Sequence, residues 1–159
     1  MPPTLPRLIV LALLLTAFQA AAAGFPGEVV AVLDGDTIEV LHDKRPVRVR
    51  LASIDAPEKS QPFGQRSRQA LAALVFRKRV EVHDQGTERH GRTLGVVIVD
   101  GTNVNAEQVR HGYAWVYRAY SNNPTLLALE SEARAEGRGL WADVNPVPPW
   151  DFRRLKVRR

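Results

Sequence analysis

Apolar and polar positions alternate most cleanly between Arg45 and Leu51, where Val47, Val49 and Leu51 share one face and Arg48 and Arg50 the other. That period of two predicts a strand with one side in a core. Two more strands precede it. Gly27 to Leu33 (GEVVAVL) is apolar and β-branched, ending at the turn dipeptide Asp34-Gly35, and Thr37 to Leu41 runs into a turn at His42-Asp43-Lys44. Three short strands with tight turns predict a curled antiparallel meander. The second half of Ser60 to Phe76 changes to a helical period, with Ala70, Leu71, Leu74 and Val75 on one face. Arg79 to His83 and Leu94 to Val99 read as two further strands, the latter closed by Asp100-Gly101. A short helix is expected from Val104 to His111, with Gly112 as its stop. The last helix has Asn123 as N-cap, Pro124 at its first position, Leu126, Leu127, Leu129 and Ala133 inside, and Gly137 and Gly139 beyond its end. Five strands and three helices in about 125 residues predict an α+β fold: a five-stranded OB-type barrel with helices packed beside it.

The amino terminus follows a different pattern. Arg7 is the only charge in residues 1–23, followed by the apolar run Leu8 to Phe18 and the small residues Ala20 to Ala23. A positive start, an apolar stretch too short for a comfortable membrane span and a small-residue cleavage site predict a signal peptide over residues 1–23. The protein is then expected to be exported, periplasmic or extracellular, with no stable membrane association after processing. The mature chain would carry 21 basic and 17 acidic residues. Five of the basic ones, Arg153, Arg154, Lys156, Arg158 and Arg159, fall in the last seven positions, and residues 24–152 alone carry a net charge of −1. The high isoelectric point is therefore a property of residues 153–159. These read as a basic tail suited to polyanions, adding salt-sensitive affinity and no part of the chemistry. The chain has no cysteine, which excludes disulfides, thiolate metal sites and a cysteine nucleophile.

Four charged segments in residues 24–152 are candidates for chemistry: Asp34-Gly35-Asp36-Thr37, Arg48-Val49-Arg50-Leu51, Asp55-Ala56-Pro57-Glu58 and Arg89-His90-Gly91-Arg92. Asp36 and Asp55 are hard oxygen donors, suited to Ca²⁺ or Mg²⁺ rather than zinc. Arg50 lies on the strand face turned away from the core, and Arg92 follows a glycine between two strands. Two guanidinium groups grip phosphate oxygens in bidentate fashion and stay charged. Taken singly, each acidic segment also reads as a plain turn or loop, and each arginine as a solvated charge.

In this order and spacing, Asp34-Gly35-Asp36-Thr37, Arg50-Leu51, Asp55-Ala56-Pro57-Glu58 and Gly91-Arg92 resemble the staphylococcal nuclease family. The likeness runs from about Val29 to Trp141 and includes Val109-Arg110-His111-Gly112 and the Asn122-Asn123 turn. The resemblance implies a calcium ion held by Asp36, Asp55 and the backbone carbonyl of Ala56. It implies Glu58 as general base, and Arg50 and Arg92 as the phosphate-binding pair. It further implies a monomer that cleaves the P–O5′ bond of DNA and RNA, single strands preferentially, and leaves 3′-phosphate ends. Some positions depart from the family pattern. Ala56 stands where its best-known member has Thr, which a carbonyl ligand tolerates. His90 replaces an aromatic Tyr beside the nucleotide, and Arg118 falls where a second nucleotide-contacting Tyr is expected, with Tyr117 and Tyr120 close by. The loop from Glu58 to Gly64 is shorter. These changes bear on affinity and base preference rather than on the reaction.

Two other classes are compatible with a basic OB-type domain. One is a non-catalytic single-strand-binding module; the other is a structural envelope protein whose tail binds anionic lipid or cell-wall polymer. The complete set Asp36, Arg50, Asp55, Glu58 and Arg92 favours the enzyme. Trp150 follows Pro148-Pro149, and nothing in the sequence fixes where it packs.

Overall fold

The computed structural model describes residues 24–157, so the expected signal peptide, Arg158 and Arg159 lie outside the described residues. In chain order the elements are β1 (Gly24–Val32), β2 (Thr37–His42), β3 (Arg45–Leu51), β4 (Ile54–Asp55), α1 (Gly64–Val75), β5 (Arg79–Thr87), β6 (Thr93–Val99) and β7 (Thr102–Asn103). They continue with α2 (Val104–Arg110), β8 (Trp115–Val116), α3 (Pro124–Ala135), a 3₁₀ turn (Gly139–Ala142) and α4 (Pro149–Val157).

The main sheet has the order β3-β2-β1-β5-β6-β7, and β3 pairs in addition with β6. That last pairing is parallel, Val49 to Thr93 through Leu51 to Gly95, and closes β1, β2, β3, β5 and β6 into a five-stranded mixed barrel. The expected OB-type α+β architecture is therefore present, with four helices rather than three. Period-two burial explains the closure: Val29, Ile38, Val40, Val49, Leu51, Val82 and Val97 are all fully buried and line the interior. Gly95 sits where β6 meets both neighbours. A Cβ there would approach the Val82 side chain to 2.8 Å, so the seam needs a residue without one.

Helix α1 packs on β1, α2 on β6 and α3 on β8. On α1 the inward stripe is Gly64, Ser67, Leu71 and Val75, whereas Ala70 and Leu74 are only partly buried. The four-residue spacing sets that face, and Ser67 is admitted because its hydroxyl donates to the Tyr113 carbonyl at 2.7 Å. The α3 cap is as expected: the Asn123 side chain accepts from the N–H groups of Thr125 and Leu126, with Pro124 following. Such a cap contributes about 1 kcal/mol.

The boundary expected after Phe152 falls inside α4. Pro149 supplies the first helical position, Asp151 lies in the first turn, and Arg154 and Lys156 lie in the last, where they complement the helix dipole. Residues 153–157 thus continue a helix, with Arg153 partly buried and residues 154–157 exposed. Trp150 anchors them, stacking on Tyr117 (centroids 5.3 Å apart, planes within 1°) and meeting Trp115 edge-on at 5.7 Å. Among the described residues, no helix is long and apolar enough to cross a membrane.

Candidate active site

The β1–β2 turn places Asp36 against the strand that carries Arg50. The Asp36 N–H donates to Asp34 Oδ1 (3.0 Å), fixing an Asx-type turn, while the Asp36 carbonyl accepts from the Leu51 N–H (2.8 Å). Behind the turn, Gln108 of α2 donates from Nε2 to the Gly35 carbonyl at 2.8 Å. A side chain at Gly35 would collide with Ser67 and Ala56, so glycine is what lets α1 back the turn so closely. The second acidic segment is tied to the first through one short bond, from the Ala56 N–H to Asp36 Oδ2 (2.6 Å). Asp55 is held on β4, whose partner β8 aligns it with Trp115.

Arg50 joins these loops. Its Nη1 lies 3.1 Å from Asp36 Oδ2 and its Nη2 3.0 Å from Asp55 Oδ1, and Nη1 also donates to the carbonyls of Leu51 and Ile54. The guanidinium is nearly buried, so its orientation is fixed rather than averaged by solvent. Asp36 is buried as well. Burial pushes its carboxyl up to about 7, with Asp34 and Asp55 pushing the same way and Arg50 and the Ala56 N–H opposing them. Arg50 is joined at Asp55 by Arg153, so guanidinium groups already meet both carboxylates, whose hard oxygens are also of the kind that suits Ca²⁺ or Mg²⁺. Among the described residues, no three or more Asp, Glu or His side chains gather into a ready-made metal cage. An ion held here would need carbonyl, water or substrate oxygens beside those of Asp36 and Asp55.

Arg92 enters from the β5–β6 loop. Gly91 adopts φ 78°, and its N–H donates to the Glu88 carbonyl, which turns the chain so that Arg92 Nε donates to Glu88 Oε1 at 2.9 Å. That bond with Arg92 holds the Glu88 carboxyl down to about 2. The same bond to Glu88 favours the charge of Arg92, and Asp36 and Asp34 add to it. Together these residues line a cleft of about 680 Å³ that contains Asp36, Arg50, Asp55, Ala56, Glu58 and Arg92, with His90, Tyr117 and Tyr120 at its rim. Every expected site residue but one is brought together there. Arg118 is not among the lining residues. It pairs instead with Glu130 of α3 (2.7 Å), a fully buried carboxylate that also accepts from the Val116 N–H and lies 3.4 Å from Arg134. A buried charge needs such partners, and that need fixes Arg118.

Arg153 was not expected in the cleft. From α4 its Nη2 lies 2.8 Å from Asp55 Oδ2, and its Nη1 reaches Asp55 Oδ1 at 3.2 Å and Glu58 Oε1 at 2.7 Å. The tail reading fails here because the Trp150 stack docks the helix, and one turn later Arg153 faces the acidic loop. The Glu58 loop is tied to the same segment: Gln61 donates to the Val147 carbonyl and accepts from the Glu58 N–H. Two signals in the sequence point to α4, namely Pro149 at a helix start and the spacing of Trp150, Arg153, Arg154 and Val157 along one helical face. Glu88 was also missed, and its position four residues before Arg92 is the signal for it.

The staphylococcal nuclease homologue family model matches residues 48–143, which include Arg50, Asp55, Glu58 and Arg92. Relatives extend the likeness over most of the chain. A protein named ParB from Escherichia coli is 52% identical over 150 residues, covering 87% of this chain and 85% of the relative. A micrococcal nuclease from Shigella flexneri is 47% identical over 160 residues, covering 93% and 91%. An uncharacterized endonuclease from Haemophilus influenzae is 47% identical over 127 residues, covering 79% and 71%. A closed barrel that gathers two acidic loops and two arginines in one cleft is what this kinship leads one to find, and the chain belongs to the staphylococcal nuclease homologues as a phosphodiester hydrolase.

Proposed function

We propose that this nuclease is an exported, calcium-dependent enzyme that hydrolyses DNA and RNA with little sequence preference, acts as a monomer, prefers single strands and leaves 3′-phosphate ends. The observation that carries the reading is Arg50, which bridges Asp36 and Asp55 at 3.1 and 3.0 Å within the cleft that Arg92 and Glu58 also line. Asp36, Asp55 and the Ala56 carbonyl would hold Ca²⁺, which when bound supplies Lewis-acid polarisation of a phosphate oxygen. Arg50 and Arg92 bind the phosphate and meet the extra negative charge of the pentacovalent transition state. Glu58 accepts the proton of the attacking water as the new P–O bond forms. The P–O5′ bond then breaks, and the departing 5′ oxygen takes a proton from solvent. The named cleft residues offer phosphate and metal chemistry, and aromatic rings that accept any base, which supports broad specificity.

The test is cleavage of labelled DNA and RNA by purified protein in calcium, in magnesium and with chelator, with the product ends mapped. Calcium-dependent 3′-phosphate products on both polymers are expected. Full activity in chelator, or 5′-phosphate ends, would overturn the reading.

A further inference from the structure

Beyond the catalytic cleft, a second groove of about 770 Å³ opens between the chain at Tyr117–Ala119 and helix α4. Its lining is Tyr117, Arg118, Ala119, Trp150, Arg153, Arg154 and Val157. The four α4 residues are spaced i, i+3, i+4 and i+7, so the groove is one whole face of that helix set against the β8–α3 connection. Tyr117 and Arg153 line both the groove and the catalytic cleft, so the two spaces adjoin. Helix α4 lies beyond residue 143, where the family match ends.

The chemistry of the groove is that of a polyanion site with an apolar wall. Three guanidinium groups and no carboxylate line it. Each has a carboxylate partner set behind it: Glu130 for Arg118, Asp55 and Glu58 for Arg153, and Asp151 for Arg154. Those pairings orient the arginines without exhausting them. A guanidinium has five N–H donors, and the side chains of Arg118 and Arg154 remain 55% and 73% exposed while paired. The Tyr117–Trp150 stack forms the wall, and aromatic walls beside arginine rows are how sequence-tolerant single-strand grooves are built.

We infer that this groove is an extended subsite for the substrate strand beyond the cleaved phosphate, with Arg118 and Arg154 meeting backbone phosphates and the Tyr117–Trp150 wall meeting a base. The inference rests on the nuclease reading and adds where the rest of the strand lies. An anionic lipid surface would favour the same charges. The strand is the better occupant because the groove adjoins the catalytic cleft across Tyr117 and Arg153, whereas a membrane needs a flat or convex face.

The experiment compares the native protein, an Arg154→Glu/Val157→Glu double variant and Arg154→Lys on the oligonucleotides (dT)3 and (dT)20 in calcium buffer. Both substituted side chains are exposed, and thermal melting checks that the fold is kept. The double variant is expected to raise KM for (dT)20 about tenfold with kcat unchanged, and to leave both constants for (dT)3 unchanged. The slope of log KM against log salt should fall by about 0.7 for each phosphate that the protein no longer neutralises. Arg154→Lys should recover most of the affinity, since the charge remains. An unchanged KM for (dT)20 in the double variant, or an equal loss on (dT)3, overturns the subsite while the nuclease reading stands. Loss of binding to anionic phospholipid vesicles with KM for (dT)20 unchanged also overturns it, in favour of a membrane face. No cleavage of either oligonucleotide by the native protein defeats the nuclease reading and the subsite with it.

Discussion

Asp36 and Glu58 are both acidic residues of the cleft, yet their surroundings assign them opposite tasks. Asp36 is buried, bonded to the Ala56 N–H and pushed up to about 7, while Glu58 is half-exposed and held by Arg153. Glu58→Gln keeps size and reach but removes the proton acceptor. Its kcat should fall by ~10²–10⁴ in single-turnover cleavage, with calcium affinity by titration changed far less. Asp36→Asn should lose calcium binding and activity together. It should also do something Glu58→Gln does not. An acid whose folded value lies above its unfolded one adds stability below the unfolded value and loses it as pH rises through the folded value. The contribution of Asp36 to the metal-free fold should therefore decline between about pH 4 and pH 7. In chelator at pH 8, Asp36→Asn should melt higher than the native protein, and at pH 4 the difference should shrink. A lower melting temperature for the variant at pH 8 would show that Arg50 outweighs burial. By the same sign, calcium affinity should weaken as pH falls below about 7, because protons compete for Asp36.

Elements decide which of these residues meet. The closing β3–β6 pair brings Arg50 of β3 opposite Leu94, two residues beyond Arg92. Helix α4 then adds the Arg153 guanidinium from the far end of the chain. Arg153→Gln should lower kcat about tenfold, because a 1 Å loosening of Glu58 is costly when geometry sets the rate. Removing the basic end after Phe152 should do the same, contrary to the expectation for a tail. Unchanged kcat on short substrates in both would show that Arg153 is a bystander. Trp150→Ala should cost about 1–3 kcal/mol in urea denaturation, because Tyr117 and Trp115 would no longer have a ring to pack against. Much of this level was legible in the sequence. The strands, the Asn123-Pro124 helix start and the four charged segments all follow local rules. The α4 face was legible only in part, because five basic residues at a chain end read equally well as a solvated tail.

At the scale of the whole molecule, Gly24 is paired with His83 from the first described residue of β1. Cleavage after Ala22 or Ala23 would therefore leave the barrel's first rung intact. The exported protein is expected to begin near Ala23 or Gly24, which intact-mass measurement checks. A mass that retains residues 1–20 in a membrane fraction would refute the exported, soluble form.

The alternation of Val47, Val49 and Leu51, the turn dipeptides and the helix caps by themselves determined the barrel class, because periodicity and backbone preference act over a few residues. The order of the acidic and basic motifs likewise determined the family and most of the cleft. Tertiary structure alone decided the fates of Arg118 and Arg153. Arg118 is held out of the catalytic cleft and in the adjoining groove by Glu130, a carboxylate twelve residues away that becomes buried only when α3 packs on β8. Arg153 is brought to Asp55 across 98 residues of sequence because Trp150 finds Tyr117. Both outcomes depend on which charges lose solvent when the chain closes, and no local pattern encodes that.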